Sequence, residues 1–154
     1  MHVTRRSPFI AAPLVILAGL LIAGCDEPLG PIAGPTPTLQ PTFNSIVTDV
    51  FTSTDLAGRT ACIACHTNVG RNPAGGMVLL PGVAHSQLVG VNSVTNPGRV
   101  RVVPGDPDNS ILIWKLEGRT GMVGRRMPFN GPPFLTAGQI LIIRRWIERG
   151  APND

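Results

Sequence analysis

Tyrosine is absent from this chain of 154 residues, lysine occurs once at Lys115, and cysteine occurs three times. The first two gaps read as genomic composition and carry no mechanism. The third limits what can staple the fold. Charge is also sparse, at 14% of residues, with thirteen Lys and Arg against nine Asp and Glu. With Arg5 and Arg6 in an amino-terminal leader, the remaining balance is only about +2, which is too weak to argue for a nucleic-acid partner. No Ser/His/Asp arrangement, Gly-rich phosphate loop or basic stripe occurs, so nothing points to triad or nucleotide chemistry.

The chain opens as a secretion signal over residues 1–24. Arg5 and Arg6 are followed by an apolar run from Phe9 to Ala23, broken by Pro13 and Gly19, and then by small residues before Cys25. The run is short for a membrane span, and acids and prolines follow it at once. Leu21-Ile22-Ala23-Gly24-Cys25 resembles a bacterial lipobox, which makes Cys25 the expected site of lipidation. An uncleaved anchor or ordinary cleavage nearby are the other readings. Each of them puts the folded part outside the cytoplasm, on the periplasmic side of a bacterial membrane. Residues 25–41 then read as a linker, because Pro28, Pro31, Pro35, Pro37 and Pro41 with Gly30 and Gly34 favour extended conformations. The folded domain is expected over residues 42–154, a size suited to one domain.

Inside that domain stands Cys62-Ile63-Ala64-Cys65-His66. Two thiols three residues apart can each add to one vinyl group of a haem, and the following imidazole is offered to the iron from the same side. A thioredoxin-like redox pair would want a βαβ setting, whereas the chain after His66 is rich in Gly and Pro. A zinc site would need two further ligands, with only His66 and His85 to supply them. An unused dithiol is the last alternative. With Cys25 assigned to lipid and Cys62 and Cys65 to thioethers, no thiol remains for a disulfide. One covalent haem c is therefore the expected staple of a small core.

Helical signals flank this motif. In residues 43–56 Phe43, Ile46, Val47, Val50 and Phe51 recur at spacings of three and four, with Thr42 as cap. Val83 to Val89 suits a short helix. Val91 to Val94 and Arg99 to Val103 are β-prone runs about Asn96-Pro97-Gly98 and are expected as a short hairpin or strand-like loop. A helix of about two turns is expected from Ile111, capped by Asp106 or Asp108 and stopped by a left-handed Gly118. The last helix has a capping box in Thr136 and Gln139, a staple of Leu135 on Ile140, and a stripe of Ile140, Ile143 and Ile147 widened by Leu141 and Trp146.

Opposite His66 an iron would take Met, His or nothing. The candidates are Met77, Met122, Met127 and His85. Met127 is preferred, because Pro128 restricts its backbone and the loop around it is rich in Gly and Pro. The haem motif, the Pro104-Gly105-Asp106-Pro107 segment with Ser110, Leu112, Leu116 and Gly118, the Arg126-Met127-Pro128 loop, and the ending from Ile143 to Pro152 together resemble bacterial monohaem cytochrome c domains of the class I type. The resemblance covers nearly the whole domain. It implies a mainly α fold, a small helical domain around one covalent haem with long loops, His66 as proximal and Met127 as distal iron ligand, and first and last helices crossing beside the haem. The long stretch between Thr67 and Val103 is richer in Gly, Val and Asn than a compact cytochrome would need, a departure from the family's pattern that bears on the distal-side wall.

The expected activity is electron transfer rather than catalysis, since two filled axial positions leave no place for a substrate. An apolar shell of Phe51, Leu112, Phe129, Leu135, Ile140, Ile143 and Trp146 would keep water from the iron. Arg125 and Arg126 are available to a haem propionate or an acidic partner, or form a solvated pair. Redox proteins of the periplasm or membrane are the expected partners, with the membrane itself held through the lipid anchor. A haem subunit bound permanently to a larger periplasmic redox enzyme is the alternative. A haem sensor or enzyme with an open sixth position is the third reading.

Overall fold

The periodic apolar residues that begin at Phe43 form the first helix of a mainly helical chain. The computed structural model describes Met1 and residues 34–154. The secretion signal and the lipidation site Cys25 lie outside the described residues, and no described helix is long and apolar enough to cross a membrane. Among the described residues there are four helices: α1 (Phe43–Ile46), which runs on into a π-helical segment (Val47–Phe51), α2 (Ala84–Leu88), α3 (Ile111–Glu117) and α4 (Ala137–Glu148). Short 3-10 turns occur at Cys62–Ala64 and Ala74–Gly76.

Helix α1 starts where its sequence signal does, with the Thr42 hydroxyl accepting from the Ser45 amide. It stops at Phe51 rather than running to residue 56. Thr52 and Ser53 both turn their hydroxyls back onto the Thr48 carbonyl, which offers the backbone a local alternative to continued helix. Its amino-terminal amides are satisfied by the other end of the chain. The Phe43 amide donates to Asp154 Oδ1 at 2.8 Å and the Asn44 amide to the Asp154 carbonyl at 2.7 Å. Phe43 also packs on Trp146 of α4, with ring centroids 5.2 Å apart.

Helix α3 is entered through Ser110 rather than through an aspartate cap. The Asp106 carboxylate takes the Asn109 amide instead, while the Ser110 hydroxyl donates to the Asp106 carbonyl. Gly118 ends α3 at φ 75°, as its position after the last apolar residue predicts. Thr136 and Gln139 form the expected capping box of α4. Buried residues on α4 are Gln139, Ile140, Ile142, Ile143, Trp146 and Ile147. Leu141 is 37% exposed, and Ile142 takes the place in the stripe assigned to it, because 100° per residue carries position 141 off the face shared by 139 and 143.

One further expectation is met in its looser form and another is corrected. The runs about Asn96-Pro97-Gly98 build no regular strand but are the strand-like arms of a loop: Asn92 and Val100 form an antiparallel bridge, the Ser93 amide donates to the Arg99 carbonyl and the Arg101 amide to the Val91 carbonyl, and Val89 bridges Val102 in parallel sense. Consecutive residues there bond to different neighbours, since the Val102 amide goes to Leu88 and the Ile111 and Leu112 amides take the carbonyls of Val100 and Arg101. Residues 34–41, read as the end of a linker, lie against the domain. Leu39 is fully buried and belongs to the same apolar cluster as Phe43, Phe51, Leu116, Ile143 and Trp146, and the Leu56 amide donates to the Pro35 carbonyl.

Candidate functional site

Cys62, Cys65 and His66 share one tight loop. The amides of Cys65 and His66 both donate to the Cys62 carbonyl, at 3.2 and 2.9 Å, which closes the 3-10 turn. Both cysteines are free thiols; Cys65 is exposed, whereas Cys62 is half-buried and packs on the apolar cluster. Burial pushes the Cys62 thiol up, against the opposing charge of Arg59. The loop is pinned on its far side as well, by the Ala74 amide on the Cys65 carbonyl and the Leu79 amide on the His66 carbonyl.

His66 is half-buried, and its Nδ1 lies 2.9 Å from the Ala74 carbonyl. A carbonyl oxygen can only accept, so Nδ1 carries the proton and Nε2 keeps its lone pair. Burial holds the imidazole below its ordinary value, the Arg101 and Arg71 charges adding to that and the Ala74 and Met77 carbonyls opposing it. Burial thus favours the neutral imidazole, the form that binds metal.

The loop bearing Met127 is anchored to α3 residue by residue. The Met127 amide donates to the Lys115 carbonyl at 2.8 Å, Arg126 Nε donates to the Leu116 carbonyl at 2.7 Å, and Lys115 Nζ donates to the Val123 carbonyl. The Met127–Pro128 peptide is cis. Met127 is half-buried against the apolar cluster, as are Cys62, Leu112 and Met77. From the same loop Asn130 Nδ2 donates to Thr60 Oγ1 at 2.8 Å, two residues ahead of Cys62.

The other candidates are placed differently. His85 donates from Nε2 to the Ala151 carbonyl at 2.9 Å and stands edge-on to Phe43 and Trp146, at the meeting of α1 and α4. Met122 is half-buried and does not join the apolar cluster. Of the expected shell, Phe51, Leu135, Ile140, Ile143 and Trp146 are buried and Leu112 is half-buried. Phe129 is not part of it, being 62% exposed with the Arg125 guanidinium 5.1 Å from its ring. Arg126 is engaged within its own loop, over the Phe134 ring and on the Leu116 carbonyl.

Two buried arginines escape a reading of spacing. Arg59 is fully buried; it pairs with Asp55 at 3.1 Å and donates to the carbonyls of Val50, Ser53 and Thr60, with Nη1 3.9 Å from Cys62 Sγ. Asp55 in turn accepts from Gln139 Nε2, which also donates to Thr36 Oγ1. Arg101 lies beside the Ala74–Gly76 turn. The Arg-Thr-x-Cys order ahead of the motif could have flagged Arg59, but nothing local flags Arg101. A groove of about 430 Å³, lined by Glu117, Arg126, Ala137, Ile140, Leu141 and Arg144, contains none of Cys62, Cys65, His66 and Met127. Among the described residues no three of His, Cys, Asp or Glu gather into a group able to hold a metal ion.

No family model, curated protein or solved structure matches the chain.

Proposed function

We propose that this chain is an exported, membrane-tethered electron-transfer protein carrying one covalent haem c, with Cys62 and Cys65 as the thioether positions, His66 and Met127 as axial ligands, and Cys25 as the lipid anchor. The observation that carries the reading is the state of His66. Beside two free thiols, its Nδ1–H is committed to the Ala74 carbonyl, and Nε2 is left as the electron-pair donor. A zinc site would need ligands that the described residues do not gather. The haem would supply a one-electron couple.

The chain's own residues have three tasks in this scheme. Cys62 and Cys65 would hold the ring and His66 the iron, while the Lys115 and Leu116 carbonyls fix the backbone of the loop that would present Met127. Met127 is favoured over His85 because the His85 ring is packed edge-on to both Phe43 and Trp146 where α1 and α4 meet, whereas Met127 lies on a loop tied to the stretch before Cys62. A haem subunit of a larger periplasmic redox enzyme is the second reading. It is favoured by the exposed apolar side chains of Val94, Val123 and Phe129, and co-purification with a larger partner from the native membrane would establish it.

The test is the absorption spectrum of the oxidised and reduced protein made in a host that attaches haem c, for wild type and Met127→Ala. The expected result is the weak long-wavelength band of a ferric haem bound by methionine, present in wild type and lost in the variant. A wild type without the band, and unchanged in the variant, excludes Met127 as ligand. A chain that gains no covalent haem excludes the reading as a whole.

A further inference from the structure

Arg101 is 6% exposed, and no carboxylate among the described residues pairs with it. A buried cation without a counter-ion is costly, and it persists only where its donors are well used. Here they meet backbone carbonyls of two separate segments. Nη1 donates to Gln87 in α2 at 2.6 Å, and Nη2 donates to Gly76 at 3.1 Å and Gly75 at 3.4 Å. The backbone of Arg101 is itself fixed, its amide donating to Val91 and its carbonyl accepting from Leu112 at the start of α3. The guanidinium thus transmits the position of α2 and α3 to the Ala74–Gly76 turn.

In that turn the Gly75 and Gly76 carbonyls face Arg101, while the Ala74 carbonyl accepts from His66. Gly75 and Gly76 both have positive φ, at 62° and 61°, so the turn has little intrinsic stiffness and needs an outside hold. We infer that Arg101 is a positioning residue for His66: by clamping the Gly75 and Gly76 carbonyls it holds the Ala74 carbonyl on Nδ1–H, and so fixes the orientation of the imidazole and its strength as an iron ligand. The inference rests on the haem reading above. A carbonyl held firmly on Nδ1–H makes the imidazole a stronger donor and favours ferric iron.

The clamp and the bare charge of Arg101 act on the reduction potential in opposite directions. Losing the clamp weakens the imidazole and raises the potential. Losing a nearby positive charge removes a repulsion that acts more strongly on the ferric than on the ferrous state, and so lowers the potential. Arg101→Lys separates them, because it keeps the charge and replaces the rigid fork by a single ammonium.

The experiment uses the full haem-loaded chain as wild type, Arg101→Lys and Arg101→Leu. It follows the solvent exchange of the His66 Nδ1 proton by NMR, the reduction potential, and thermal unfolding. The expected result is exchange about tenfold faster in both variants, the equivalent of one hydrogen bond lost, with a raised potential in Arg101→Lys. A merely structural role would lower the unfolding temperature and leave exchange and potential at their wild-type values. Should Arg101→Leu fail to fold, Arg101→Lys carries the decision alone. Wild-type exchange and potential in a folded, haem-loaded Arg101→Lys overturn this inference while the haem reading stands. A wild type without covalent haem overturns both.

Discussion

Asn130 and Thr60 are 70 residues apart and joined by one hydrogen bond, Nδ2 to Oγ1 at 2.8 Å. The bond ties the loop of Met127 to the stretch that leads into Cys62. Thr60 is held from behind too, since its carbonyl accepts from the buried Arg59. The loop expected to present one axial ligand and the motif expected to present the other are thus connected by side chains alone.

Asn130→Ala and Thr60→Val should each release this latch. The pair is exposed, so the loss in global stability should be about 0.5–1.5 kcal/mol. The local effect should be larger. Hydrogen exchange of the amides between Arg126 and Gly131 should accelerate, while those of α4 stay protected. Equal acceleration across the whole chain would show that the bond contributes only to general stability.

The ion pair of Arg59 with Asp55 has both side chains buried, at 0% and 1% exposure respectively. Removing one partner from such a pair costs about 3–5 kcal/mol, so Arg59→Met should destabilise by roughly that amount in denaturant unfolding. Its pH dependence follows from Asp55. Burial would raise the carboxyl, but the Arg59 amide, the Gln139 side chain and the Arg59 charge together hold it below its ordinary 3.8. A carboxyl lowered by folding stabilises above the unfolded value and loses that contribution as pH falls through the folded value. Wild type should therefore lose stability below about pH 4, whereas Asp55→Asn, less stable at neutral pH, should change little over the same window. Parallel acid curves for the two would exclude Asp55 as the group concerned.

Gly118 closes α3 in the left-handed region, and a Cβ there would stand 3.0 Å from Cδ of Arg126. Gly118→Ala should cost about 1–2 kcal/mol from the backbone alone. It should also displace Arg126 from the Leu116 carbonyl and disturb the presentation of Met127. Thermal unfolding measures the first effect, and the intensity of the methionine band in the ferric spectrum measures the second. A lowered unfolding temperature with an unchanged band would separate the helix end from the ligand loop.

Signals carried by neighbours in sequence were readable in advance. The capping box of Thr136 and Gln139, the stop at Gly118 and the start of α1 at Thr42 all depend on residues within a turn of one another. The close of the motif onto the Cys62 carbonyl is equally local. What spacing does not encode is burial against the grain of composition. Leu39 sits in a proline-rich stretch and is fully buried, because the chain folds back over α1 and the Gln139 amide reaches Thr36. Arg59 and Arg101 look like solvated charges until the carbonyls they serve are brought together by distant segments. The β-prone run from Arg99 to Val103 pairs only briefly with residues 91–93, and its remaining bonds go to α2 and α3 in place of a longer ladder.

Thr36 gives the amino-terminal side of the domain a stiff root. Force arriving from ahead of Gly34 meets the Gln139 amide first, and through it the opening turn of α4 and the Asp55 carboxylate. The firmly held part of the chain therefore begins at Thr36, and not at the apparent end of the prolines near Pro41. A pull on this root would be felt at the first turn of α4 and at the Asp55 and Arg59 pair before it reached α1, so the amino-terminal side of the domain is braced against its last helix rather than its first.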